Sequence, residues 1–184
     1  MNLTLSWDLF VIVFVALVIT YTFIIGKKES MKIMLSSYVA VVAVAGIGNI
    51  AERLFGGPEA LLGIFGMEVA TPITSILKLA LFIIIIVFLA VRAGLHIQYS
   101  SEPNIATNVA ITVLCGAATA GLLLATLITY MAGNPLLDSA LTASPALTAV
   151  IQQSALMRLL ISNVDVLFTL PAVVLIAAGV LNNR

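Results

Sequence analysis

The stretch Ser75–Arg92, "SILKLALFIIIIVFLAVR", decides the fold: it is almost solid hydrocarbon, with Lys78 set inside it. An apolar run of this length with one interior charge reads as a helix crossing a bilayer, since a span needs about 20 predominantly apolar residues. The whole chain agrees. Of its 184 residues, 62% are hydrophobic and only 9% are charged, and the mean hydropathy is +1.22. Soluble domains carry roughly 25% charged residues. So sparse a charged set cannot cover a water-facing surface, whereas lipid as solvent removes the conflict.

Working outward, similar runs cover residues 9–26, 33–50, 73–97 and 106–132. A fifth candidate, "VDVLFTLPAVVLIAAGVL" (164–181), has Asp165 near its start and Pro171 in its middle. Proline kinks a span without forbidding it. The expected fold is all-α: a single integral membrane domain over 1–184, a transmembrane bundle of four to five spans with short interfacial helices. The N-terminus "MNLTLSWD" lacks the basic region of a signal peptide, so the first run is expected to be retained as a span.

Charge sets the expected orientation. "GKKESMK", between the first two runs, carries Lys27, Lys28 and Lys32. The positive-inside rule makes the 27–32 loop cytoplasmic and the N-terminus external. Alternation then places Arg92 and Arg184 inside, and Arg53 and Arg158 outside. Two connectors stand apart. Residues 52–72, apolar but broken by glycine and proline, read as a short helix in the outer interface, with a re-entrant loop as the alternative. Residues 134–163 contain a partly amphipathic helix opened by Pro145, with Thr148, Gln152 and Arg158 polar, lying at the outer surface or covering the bundle.

Composition excludes several functions. Net charge is zero, which argues against nucleic acid as a partner. One histidine (His96) and one cysteine (Cys115) make neither a metal site nor a disulfide, and no cofactor is expected. Catalysis within the membrane would call for paired carboxylates or a His–Glu metal motif in the spans, and the expectation is a protein that is not an enzyme. The expected partners are the lipid bilayer and a second copy or larger membrane complex.

Two sets of residues are candidate sites. The first is a small-residue packing face: Ser36, Ala40 and Ala43 on the second span, and Gly116, Ala117 and Gly121 on the fourth. In lipid, helix association depends on close backbone packing, so these serve either the bundle itself or self-association. The second is an intramembrane charge site at Lys78, Asp165 and Glu68. Lys78 lies about 9 Å below Pro72 at a rise of about 1.5 Å per residue. Its stem can snorkel outward to an acidic rim of Glu52, Glu59 and Glu68, or it can pair inside the bundle with Asp165 or Glu68.

The layout resembles the CvpA (colicin V production protein) family of small bacterial inner-membrane proteins. The resembling features span most of the chain: an acidic start to span one ("WDLFVIV", Asp8), a glycine-basic turn ("IIGKKESMK"), a third span ending in "FLAVRAG" at Arg92, a glycine-rich fourth span ("LCGAATAGLLLATLI") and the stretch "LLDSALTASPAL". Glu29 and Ser30 stand where the family's turn carries a second glycine. The resemblance implies a bacterial inner-membrane location and a role in envelope maintenance or toxin export. Too few polar residues lie within the spans to line a hydrophilic pore, so the expected role is that of a non-enzymatic accessory or scaffold. The alternative is a subunit of a small transporter or channel with a path near Lys78 and Asp165.

Overall fold

The computed structural model describes residues 7–56, 71–92, 105–132 and 145–182. Among them the chain is helical, with no strand: α1 (Trp7–Ile25), α2 (Lys27–Phe55), α3 (Thr71–Arg92), α4 (Ile105–Ala132), α5 (Pro145–Gln153), α6 (Ala155–Ser162) and α7 (Val164–Asn182). Four helices, α1 to α4, are long and apolar enough to cross a membrane. The expected fifth span does not pass that test as a single kinked run. Helix α6 and Val164–Val180 of α7 meet the same test only together, and they are bent by 68°. The body of the expected interfacial segment (57–70), with Glu59 and Glu68, lies outside the described residues, as do His96 and Arg184.

The basic loop between the first two spans is shorter than its composition suggests. Helix α1 ends at Gly26, whose φ of 80° is the left-handed conformation that glycine adopts without steric cost. Its N–H bonds to the Thr22 carbonyl at 3.0 Å, and its own carbonyl accepts from Ser30 N–H at 3.0 Å, inside α2. One residue reverses the chain. Lys27, Lys28 and Lys32 therefore sit on the first turns of α2, where Lys32 pairs with Glu29 at 3.7 Å. Gly56, with φ 76°, follows the other end of the same helix.

Helix α4 is the hub: it packs against α1, α2, α3, α5, α6 and α7. In its membrane-length segment 72% of the residues are buried, against 11% for α1 and 6% for Ser75–Arg92 of α3. The difference follows from side-chain size. α4 carries small residues around much of its circumference, so neighbouring backbones can approach it, whereas α3 presents Ile76, Ile83, Ile84, Val87, Phe88 and Val91 outward. Two apolar clusters fill the interior. The larger joins Val11, Val44, Phe82, Leu122, Leu124, Ile128, Tyr130, Leu147, Met157 and Phe168. The smaller joins Met31, Met34, Ile111, Cys115, Ala118, Val174 and Ala178.

The glycines of α4 set two close approaches. A Cβ on Gly116 would lie 3.1 Å from Thr22 Oγ1 and 3.2 Å from the Ile19 Cα of α1. A Cβ on Gly121 would lie 3.0 Å from Leu167 Cδ2 of α7. At about 100° per residue these positions are roughly 140° apart around the helix, so they seat two different neighbours. Because a backbone atom cannot retreat and a leucine methyl can, Gly116→Ala should lower bundle stability by about 1–2 kcal/mol and Gly121→Ala by less. Gly48→Ala, with nothing within 4 Å of its Cβ, should be neutral or slightly stabilising. Thermal unfolding of the detergent-solubilised protein orders the three; equal losses at Gly116 and Gly48 would refute this account of the α1–α4 contact.

Candidate functional site

Side-chain polarity within the bundle is distributed in a definite way. Thr112, Thr119, Thr126 and Thr129 of α4 are all buried. Each donates its hydroxyl to the carbonyl four residues back, at 2.7–2.8 Å. Ser37 does the same to Ile33 at 2.9 Å and Thr22 to Val18 at 2.9 Å. Bonds of this kind satisfy a hydroxyl without requiring a partner helix. The polar column is thus spent on its own backbone.

Among the described residues, contacts made by Tyr38 and by Asp8 instead join distant parts of the chain. In the first, Tyr38 of α2 donates its phenol to the Phe168 carbonyl of α7 at 2.5 Å. Pro171 has no N–H for the Leu167 carbonyl and disturbs the helix around it; the Tyr38 bond lands on the next carbonyl along. In the second, Asp8, in the first turn of α1, faces the start of α6. Its Oδ1 accepts from the Ser154 hydroxyl at 2.5 Å and from Leu156 N–H at 3.1 Å. Ser154 is the N-cap of α6, with φ −136° and ψ 122°, and its hydroxyl accepts from Met157 N–H at 3.0 Å. The carboxylate lies in the first turn of α1 and bonds to the amino end of α6, where the backbone dipoles of both helices favour negative charge.

Helix α6 is closed at its other end by Asn163. The Asn163 N–H bonds to Leu160 at 3.2 Å, and its side-chain amide bonds to the Leu159 carbonyl at 2.8 Å. Met157 and Ile161 are buried, whereas Arg158 and Leu159 are exposed. On α5, Leu147 and Val150 are buried while Thr148 and Gln152 face out. The amphipathic segment therefore covers the bundle, broken into two helices at Ser154.

The sequence candidates fall as follows. Ser36 and Ala40 are completely buried, and Ala43 is half-buried. The buried register of α2 continues from Ala40 to Val41 and Val44. Gly116 and Gly121 are buried, and Ala117 is half-buried. Lys78 is half-buried on α3, and Asp165 is exposed in the first turn of α7, where its backbone carbonyl accepts from Thr169. Among the described residues no ion pair joins Lys78 to Asp165; α3 packs on α2 and α4, and α7 on α4, α2 and α6. Glu68 lies outside the described residues. Asp8, Ser154 and Tyr38 were not singled out as site residues by sequence reasoning. A serine before "ALMRLLIS" is a helix-start signal, but its partner lies 146 residues away and has no local signature.

Fold and composition together define the class: a polytopic helical membrane protein. Neither a protein-family model, nor a curated protein, nor a solved structure matches the chain.

The Tyr38 contact is directly testable. Tyr38→Phe removes one donor and keeps the ring, so stability should fall by about 1 kcal/mol. Thermal unfolding in detergent measures it, and an unchanged midpoint would show that the Phe168 carbonyl gains nothing from the phenol.

Proposed function

We propose that this protein is a non-enzymatic accessory or scaffold component of a membrane assembly, a reading that keeps the resemblance to the CvpA family and its implied part in envelope maintenance or export. The observation that carries it is the apolar surrounding of the hub helix. The buried threonines of α4 are turned onto their own backbone, and two apolar clusters of buried residues include side chains of the same helix. A hydrophilic path needs polar groups that face a shared lumen. Among the described residues no ion pair joins Lys78 to Asp165, which weighs against the transporter alternative. The large apolar surfaces of α1 and α3, by contrast, suit contact with lipid and with other spans.

On this reading Lys78 is an outer-leaflet anchor. Thirteen residues separate it from Arg92, about 20 Å of helix against a hydrocarbon core of about 30 Å. The two cations reach towards opposite headgroup layers. The proposed setting is a bacterial inner membrane, with the amino end of α1 outside and the α1–α2 turn cytoplasmic.

Two experiments bear on this. Vesicles reconstituted with the purified protein should hold a gradient of ions and of small polar dyes as tightly as empty vesicles, and specific leakage or uptake would sink the scaffold reading. In intact cells, Lys28→Cys, at an exposed position, should resist an impermeant thiol reagent added outside and react after permeabilisation. Ready labelling of intact cells would reverse the orientation.

A further inference from the structure

We propose that α5 and α6 form a latched cover over one end of the bundle, hinged at Asn163 and held shut by the Asp8 carboxylate. Four observations converge on it. Helix α6 is capped at both ends by its own neighbours, Ser154 and Asn163, so it can swing as a unit without losing its internal bonds. It leaves α7 at a 68° bend across the single residue Asn163. Its principal neighbour beyond the adjoining α5 is α1, and the polar part of that contact is Asp8 bonded to Ser154 and Leu156.

The fourth observation concerns what the cover closes on. Tyr130, near the end of α4, is buried in the same cluster as Leu147 and Val150 of α5 and Met157 and Ile161 of α6. Its ring meets Phe82 edge-on at 5.9 Å, yet among the described residues its hydroxyl has no hydrogen-bond partner. A buried hydroxyl without a partner is costly, and opening the cover would let it hydrate.

The solvent makes the latch decisive. When an apolar face such as Leu147–Val150–Met157–Ile161 separates from a bundle in water, hydrophobic burial is lost. At the end of a bundle in a bilayer, the headgroup–acyl boundary takes the place of the departing neighbour: acyl segments receive the apolar face while interfacial water reaches Tyr130, so the apolar contacts resist opening less. The charge-assisted bonds at Asp8 then carry a disproportionate share of closure, opposed by the orphaned Tyr130 phenol.

The test is thiol accessibility in nanodiscs, where both faces are open to reagent. A Cys115→Ala background removes the native thiol, and Val150→Cys reports on the cover, since Val150 is buried when it is shut. Asp8→Ala should raise the maleimide reaction rate at that position by about tenfold. Tyr130→Phe added to Asp8→Ala should lower the rate again, because the open state no longer rescues a phenol. A control thiol from Val44→Cys, buried on α2, should stay unreactive throughout. Equal rates at position 150 with and without Asp8 would overturn the latch. So would parallel exposure of position 44, because Asp8 would then support the whole bundle and not a cover.

Discussion

Everything in this fold depends on how closely α1 can approach α4 at Gly116. In lipid, apolar side chains gain little by meeting one another, since the acyl chains they leave are equally apolar. What remains is dispersion at close range, which depends steeply on distance. The missing Cβ of Gly116 lets the Ile19 backbone come within a distance that any other residue would occupy. Around that contact the small residues of α4 admit α2 and α7 as well. A helix buried on so many sides then has to dispose of its own hydroxyls, and the threonines do so by bonding the preceding turn.

The interhelical contacts of Tyr38 and Asp8 occur where regular backbone is interrupted. Tyr38 reaches α7 beside Pro171, and Asp8 reaches the break between α5 and α6. The Asp8 carboxylate accepts from an N–H left open where α6 begins, and the Tyr38 phenol bonds the Phe168 carbonyl, beside the Leu167 carbonyl that Pro171 leaves without a donor. The two contacts tie the last helices of the chain to the first two. The C-terminal half therefore closes on a framework set by the N-terminal half, through a carbonyl at one point and a carboxylate at the other.

The distribution of surface follows the same economy. α3 touches the bundle mainly through Phe82 and its flanking residues, and turns its isoleucines and valines outward. Its single charge, Lys78, is half-buried and makes no ion pair with Asp165. A peripheral helix of this kind suits an anchor or a partner surface better than the wall of a path, and this underlies the preference for a scaffold over a transporter.

The apolar solvent, the helical class and the main helices are legible in the residues alone. Composition and run length decide those, and the described ends of the expected segments lie within a few residues of the helices, apart from α2. There the apolar run predicts a span over 33–50, whereas α2 extends from Lys27 to Phe55. The lysines and glutamate beside Gly26 are good helix formers, and a single left-handed glycine is enough to turn the chain. The small residues of α4 were also legible as packing positions. Which neighbour each one seats was not, because Gly116 and Gly121 point to different helices and periodicity carries no partner identity. The pairing of Asp8 with Ser154 and of Tyr38 with Phe168 emerges only from the folded arrangement. Such contacts join residues more than a hundred positions apart, and their existence depends on where helices break and how they stack, which no local pattern encodes.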